Sequence, residues 1–394
     1  MDIYEESMML HKQLRGKIRV NAKIDLHDAH ELALVYSPGV AAPCQAIAAN
    51  PELAYDYTIK GNTIAIVTDG SAVLGLGNIG ALASIPVMEG KAMLFKRFAA
   101  LDAFPICLDT QDPDEIIATV KRIAPVFGGI NLEDIAAPQS FYIEEQLQEI
   151  GIPVFHDDQH GTAIVTLAGL INAARLVNKP FSELKIVING AGAAGIAIAK
   201  MLKCVDGYAG ELCTPVKELL ICDTKGIIHP DREDINDSKR ETLQWSNLQR
   251  HKGDIRDAIR NADVFIGVSV GDLLNREDIR TMAPDPIIFA LANPTPEIMP
   301  DEAYAGGAAV VATGRSDLPN QVNNALGFPG IFRGALDARA KRITPKMKLA
   351  AAYAIAEFVR EPSRDCIIPP TLNEEVAWKV AKAVKQAALS QPLT

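Results

Sequence analysis

One glycine turn limits what this chain can fold into more than any other segment. In residues 184–195, LKIVINGAGAAG, an apolar, β-branched run passes straight into Gly190, Gly192 and Gly195. Without Cβ atoms the backbone can turn sharply there, and a helix opening at the turn aims bare N–H groups and its positive end at an anion. The residues downstream complete the unit. IAIAKMLK reads as the helix, and a second apolar run, Leu219–Cys222, ends on Asp223. An acid at the end of the second strand accepts hydrogen bonds from ribose hydroxyls, so these five parts in order predict a dinucleotide site.

A second GxGxxG, formed by Gly75, Gly77 and Gly80, is set apart from the strand-like run Thr63–Thr68 by the six residues DGSAVL. A turn that far from its strand end cannot cradle a pyrophosphate. It reads as a loop for close backbone approach or for a small anion.

The glycine unit lies near the middle of 394 residues, so a comparable length of chain precedes it and must supply something else. From Thr63 onward, strand-like runs (TIAIVT, AFPICLD, GINL, PVFHDD) alternate with helical stretches, including one near Pro113–Ile123 and one near Ser140–Ile150. That rhythm predicts an α/β fold of parallel βαβ units, with a crevice at the strand carboxyl ends. The nearly all-apolar Gly161–Asn178 reads as a helix buried between domains. The expected organisation is an N-terminal α/β substrate and metal domain over 1–159, then a Rossmann-type doubly wound domain with C-terminal helices over 160–394.

Charge and composition narrow the partners. The formal net charge is −10 with no basic tract, which disfavours nucleic acid. The start, MDIYEES, lacks the charged and apolar regions of a signal peptide, and no run of about 18 apolar residues offers a membrane span. A cytoplasmic protein is expected. The six cysteines show no CxxC pairing, and several lie in apolar runs, as small buried hydrophobes do under reducing conditions.

Two acidic pairs end strand-like runs: Glu133-Asp134 in GINLEDIAAP and Asp157-Asp158 in PVFHDDQHGTA. Neighbouring parallel strands would bring both to one rim. Uncompensated carboxylates there repel one another, and a hard divalent cation, Mg²⁺ or Mn²⁺, removes the conflict. The plainer alternative is that these acids cap helices and solvate turns. His156 and His160 have a spacing that would suit zinc on a helix. The turn is expected to be irregular and no third ligand lies nearby, so structural histidines are the preferred reading. Lys91 sits in an otherwise apolar helical stretch, VMEGKAMLF; in a dry site such a lysine can lose its proton and serve as a base. Tyr36 precedes a Ser-Pro-Gly turn and by itself is an ordinary half-buried tyrosine.

Taken together, VYSPGVA, IVTDGSAVLGLGNIG, PVMEGKAMLF, INLEDI, FHDDQHGTA, INGAGAAG, ALANP and NNALGFPG resemble the malic enzyme family, short bacterial form, in the family's order across most of the chain. The resemblance implies oxidative decarboxylation of (S)-malate to pyruvate and CO₂ with reduction of NAD(P)⁺. It implies Lys91 as general base and Tyr36 as general acid. Glu133, Asp134 and Asp158 would hold the divalent ion, with Asp157 beside them. Gly190, Gly192, Ala193, Ala194, Gly195 and Asp223 would take the dinucleotide. Asn293 would lie at the nicotinamide side of the cleft, touching cofactor and substrate, and Asn323 and Asn324 would hold substrate carboxylate oxygens alongside Lys91. One position departs from the family's longer members, which carry an arginine after TDG that pairs with a substrate carboxylate; Ala72 stands here, so that bidentate contact is missing.

Asp223 would repel a 2′-phosphate and favours NAD as cofactor, while Lys225 could offset that repulsion and admit NADP. A homodimer or dimer of dimers is expected from the apolar helices of the N-terminal half. Two rival readings are a metal-free amino-acid dehydrogenase, which shares the two-domain layout and a cleft lysine, and a non-catalytic NAD-binding protein. Sensitivity to chelator separates the first rival, and the purpose of the acid cluster the second.

Overall fold

A computed structural model describes residues 2–73, 75–210 and 212–390. The N-terminal segment forms α1 (Ile3–Leu14), α2 (Ala29–Val35), α3 (Ala41–Ala49) and α4 (Ala54–Tyr57), none of which buries a residue. Met8, Met9, Val20, Leu26, Leu34 and Tyr36 all stand in solvent.

Alternation then begins. β1 (Thr63–Thr68), α5 (Gly80–Ala99), β2 (Asp102–Cys107), α6 (Pro113–Ile123), β3 (Gly129–Leu132), α7 (Gln139–Leu147) and β4 (Val154–His156) lead into α8 (Asp157–Leu176). The four strands are parallel in the order β2-β1-β3-β4, with Leu132 opposite His156, so the acids that follow β3 and β4 emerge side by side. Helix α8 starts at Asp157, directly on the strand end. The irregular turn expected before Gly161 is therefore helical, and the expected junction at 159/160 falls inside α8.

The second sheet follows. Its elements are β5 (Lys185–Asn189), α9 (Ala193–Leu202), β6 (Glu218–Asp223), β7 (Gly226–Ile227), α10 (Asp237–Thr242), α11 (Ile255–Ile259), β8 (Val264–Gly267), α12 (Arg276–Arg280), β9 (Ile287–Ala290), α13 (Pro300–Ala305) and β10 (Val310–Thr313). The chain ends with α14 (Phe328–Asp337), α15 (Pro345–Ala356) and α16 (Glu374–Leu389). The order is β10-β9-β8-β5-β6-β7, all parallel except the short β7. This is the α/β architecture with parallel sheets that the sequence predicts. A disulfide joins Cys204 to Cys213 behind α9, so these two cysteines are not the free buried thiols expected of them.

Period-two alternation sorts each strand's residues between layers. Ile64 and Ile66 of β1 face the same core as Ile186 and Ile188 of β5, whereas Ala65 and Val67 face α6 and α7, and Val187 and Phe265 face α11–α13. The two sheets thus share one continuous apolar layer built on α8 and α14–α16. Helices α14 and α16 approach closely because small residues meet there. A Cβ on Gly330 or Gly334 would collide with the carbonyl of Ala377 or Ala381 and with Val380 or Val384.

Gly334→Val should therefore overpack this seam and cost about 1–3 kcal/mol or more. Thermal denaturation should show a midpoint lower by at least a few degrees. An unchanged midpoint would mean the seam is looser than the structure shows.

Candidate active site

The end of β3 and the start of α8 place Glu133, Asp134, Asp157 and Asp158 around the ammonium of Lys91, which projects from α5. Lys91 Nζ lies 2.5 Å from Glu133 Oε1 and 2.5 Å from Asp157 Oδ2, and 4.4 Å from the Phe328 ring centroid. Asp134 adopts a left-handed φ of 53°, a conformation acidic side chains tolerate better than most, and its N–H donates to Asp158 Oδ2 at 2.8 Å. Among the described residues, Glu133, Asp134 and Asp158 form the one group of Asp, Glu, His or Cys able to offer three ligand atoms within 4.8 Å of each other.

Electrostatics at this cluster are one-sided: Asp157, Glu133 and Asp158 act on one ammonium, and Asp134 adds its charge beside Glu133. Burial pushes the Glu133 carboxyl well up; Lys91 opposes this, and the neighbouring acids reinforce it. Asp157 is also raised, first by burial. Burial pushes Lys91 down, but Asp157, Glu133 and Asp158 outweigh it and hold the ammonium above its ordinary range. This reverses the expectation that a dry site alone frees Lys91 of its proton. Asp157 Oδ1 is buried with no hydrogen-bond partner among the described residues. An excess of buried negative charge, an unpartnered carboxylate oxygen and three convergent hard oxygen donors fit a divalent ion of the Mg²⁺ or Mn²⁺ type.

Residues without an obvious signature brace the cluster. Buried Asn131, the inward polar residue of β3, donates to Glu133 Oε2 at 2.9 Å. Asn324 donates to Asp157 Oδ2 at 3.3 Å and accepts from Thr162 Oγ1 at 3.1 Å. Gly161 has no room for a Cβ, which would strike Asp157 Oδ1. Ala72 N–H donates to the Asp134 carbonyl and Ser71 Oγ accepts from Ala136 N–H, so the loop after β1 clamps the LEDI turn through backbone and hydroxyl contacts. Asn324 was singled out in the sequence for a different contact, with substrate; Asn131 was missed although it carries a signal, a polar residue inside an apolar strand.

The histidines divide. His160 Nε2 lies 2.9 Å from both Glu144 oxygens, as a structural histidine should. His156 is buried, neither ring nitrogen is hydrogen-bonded among the described residues, and its Nδ1 lies 3.9 Å from Asp158 Oδ2, so the expected satisfied role does not hold for it. Tyr36 is 69% exposed at the end of α2 and makes no hydrogen bond through its hydroxyl among the described residues. Asn323 Oδ1 accepts from Ala325 N–H and so caps its own turn.

At the second sheet, Gly190 has φ 123°, and a Cβ there would strike Val268; a Cβ on Gly195 would strike the Gly190 carbonyl. A Cβ on Gly192 would meet nothing within 4 Å, so the turn is open where Gly192, Ala193 and Ala194 begin α9. Buried Glu297 accepts from Ser269 N–H at 3.1 Å and Ala292 N–H at 3.0 Å, tying the loops after β8 and β9 together beside Asn293. Gly75 of the other GxGxxG packs against the Asn293 carbonyl, which is the backbone-approach reading of that loop. Asp223 is gripped by Arg232 through both oxygens, at 2.7 and 3.0 Å, and by Lys239 at 2.7 Å. Lys225 turns its ammonium to Asp234 at 3.0 Å instead, so Arg232 and Lys239 offset Asp223's charge more directly than Lys225.

Comparison with known proteins agrees with this geometry. Residues 15–148 match the malic enzyme N-terminal domain and residues 159–389 the malic enzyme NAD-binding domain. The bifunctional malic/malolactic enzyme of Bacillus subtilis is 56% identical over 393 residues, 99% of this chain and 94% of its own length. The NAD-dependent malic enzyme of Geobacillus stearothermophilus is 53% identical, covering 98% of this chain and 79% of its own. Other relatives are named NADP-dependent malic enzymes. The crystal structure of the NAD-dependent malic enzyme from Thermotoga maritima superposes with a TM-score of 0.92 at 48% identity, covering 98% and 99% of the two chains.

Burial opposes the ionisation of Asp223, but hydrogen bonds from Arg232 and Lys239 outweigh it and lower its pKa from 3.8 to about 2. A carboxylate lowered by folding contributes stability above its unfolded pKa and loses it as pH falls toward the folded one. Urea midpoints should therefore place wild type above Asp223→Asn near neutral pH, with the gap shrinking from pH 3.8 to about 2. A gap that stays constant across that window would contradict the clamp.

Proposed function

The chain belongs to the malic enzyme family, and from that premise we propose that it carries out metal-dependent oxidative decarboxylation of (S)-malate to pyruvate and CO₂, with NAD as cofactor and NADP also accepted. The observation that carries this reading is the convergence of Glu133, Asp134 and Asp158 beside Lys91.

In this reading Glu133, Asp134 and Asp158 hold the ion, and Asp157 with Asn324 fixes the Lys91 ammonium. When bound, a divalent ion supplies the charge that stabilises an enolate oxygen, and the dinucleotide accepts the electrons leaving C2. Lys91 is the base for the C2 hydroxyl. It reaches its neutral form once the carboxylates' charge is balanced, because burial then dominates and pushes the ammonium down. Phe328 closes one side of the amine against water. Asn323, Asn324 and Asn293 would orient the substrate carboxylates. The turn from Gly190 through Ala194 to Gly195 would receive the pyrophosphate. At the ribose corner three cations, Arg232, Lys239 and Lys225, meet two carboxylates, Asp223 and Asp234, so a 2′-phosphate is not turned away.

Tyr36 is proposed as the acid that protonates C3. Its exposure, on a segment whose helices bury nothing, supports a homodimer in which the N-terminal segments are the interface. The partner subunit's surface would then cover the apolar side chains of α1–α3.

Reduced nicotinamide should accumulate when malate, NAD⁺ and Mn²⁺ are mixed with the protein. Excess chelator should abolish the signal. Asp158→Ala and Lys91→Ala should each lower kcat by about 10²–10⁴-fold, with nucleotide affinity retained. Full turnover in chelator would remove the metal from the mechanism. Tyr36→Phe should lose pyruvate formation, and mixing it with Lys91→Ala should recover activity if sites form between subunits. No recovery in mixed dimers would place Tyr36 and Lys91 of one chain in the same site.

A further inference from the structure

Asp223 ends β6 one residue past Cys222, whose carbonyl accepts from Gly190 N–H at 2.9 Å. In a dinucleotide fold an acid at this corner accepts hydrogen bonds from the ribose hydroxyls. Here its acceptor sites are already taken. The Lys225 N–H and Arg232 Nη1 donate to Oδ1 at 2.9 and 2.7 Å, and Arg232 Nη2 and Lys239 Nζ donate to Oδ2 at 3.0 and 2.7 Å. A carboxylate offers about four lone-pair directions, so a ribose hydroxyl must displace one of these donors before it can bind.

Arg232 is equally occupied. Its Nε and Nη2 donate to Asp234 at 3.0 and 2.7 Å, its Nη1 also reaches the Gly226 carbonyl at 3.4 Å, and its side chain is only 9% exposed. Every nitrogen of the guanidinium is committed within the protein. Lys239, on α10, differs: its side chain is 24% exposed, and among the described residues its ammonium donates to Asp223 alone. An ammonium has further N–H groups to offer. Three cations, Arg232, Lys239 and Lys225, against two carboxylates, Asp223 and Asp234, leave this set of groups with one positive charge.

Given that the Gly190–Gly195 turn receives the dinucleotide, as proposed above, we infer that Lys239 rather than Asp223 reads the 2′ position of the adenosine ribose. Its ammonium donates to a 2′-phosphate, and Arg232 is the positioning residue that keeps Asp223 occupied. The part expected of Asp223 is thereby reversed. A carboxylate that would select NAD by accepting from the ribose is spent on holding the cations in place. Removing the Lys239 ammonium therefore has opposite consequences for the two dinucleotides. NADP loses a charged hydrogen bond, whereas NAD gains the Asp223 Oδ2 direction that Lys239 vacates.

NAD⁺ and NADP⁺ can each be titrated by calorimetry into the full-length protein in chelator, without malate. NADP⁺ should bind wild type at least as tightly as NAD⁺. Lys239→Met should weaken NADP⁺ about tenfold or more and tighten NAD⁺ by about a factor of a few. Lys239→Arg should keep most of the NADP⁺ affinity, because charge and donors remain. Lys239→Gln decides the matter if Lys239→Met does not fold. A purely structural role for Lys239 would move both affinities in one direction. The assignment is therefore overturned if both fall together, if NADP⁺ binding is unmoved, or if Lys239→Arg loses as much NADP⁺ affinity as Lys239→Met. Wild type that binds NAD⁺ but not NADP⁺ would overturn it too. Wild type that binds neither dinucleotide would overturn the glycine-turn reading along with it, so the two failures are told apart.

Discussion

The contact on which the site depends is the ammonium of Lys91 lodged between Glu133 and Asp157. Burying ionised groups is costly, and a pair removed from water recovers that cost only with good geometry and further hydrogen bonds. Here the partners come from three elements: α5 brings the lysine, the end of β3 brings one acid, and the first turn of α8 brings the other. Asn131 and Asn324 occupy further lone pairs of the two acids. The balance is still incomplete, since Asp134 and Asp158 add negative charge to the pair. A site assembled this way is poised to take up a dication, and the same dication would release the lysine from the attraction that keeps it protonated. In the proposed reaction, metal binding and the readiness of Lys91 as base would therefore be linked through one set of charges.

Helix α8 makes that arrangement rigid. Its first turn carries Asp157 and Asp158, and the rest of it runs through the apolar layer shared by both sheets. A displacement of one sheet relative to the other must therefore be absorbed around the helix that holds the carboxylates. Gly161 shows how little slack exists, because one methyl group there would collide with Asp157.

Period and punctuation made most of the fold readable. Strand-like runs followed by acids or glycines mark the carboxyl edge of each sheet, and Asp223 falls on the last residue of β6 as expected. The acid pairs were readable for the same reason: parallel pairing of β3 and β4 leaves their ends adjacent. Less readable were features decided by partners distant in sequence. Asn324 meets Asp157 across 167 positions, and nothing local to either residue announces the contact. Arg232 and Lys239 reach Asp223 from beyond a short hairpin, so a reading confined to the adjacent Lys225 found the right charge on the wrong side chain. The sign of the Lys91 shift was misread because burial was weighed without the neighbouring carboxylates. Two carboxylate oxygens at 2.5 Å matter more than a dry surrounding.

The N-terminal segment obeys different physics from the rest. Its first two helices are capped, with Asp2 and Asp28 accepting from the first turns of α1 and α2, so local signals favour them. Yet they bury nothing, and short helices in water draw most of their stability from packing an apolar face. Lys17, whose ammonium donates to the Pro86 carbonyl, is one of the ties back to α5. In the proposed homodimer, the large apolar side chains of this surface would be covered by the partner subunit. Tyr36 lies within that surface, 69% exposed, so in the proposed homodimer the interface would also decide what surrounds its hydroxyl.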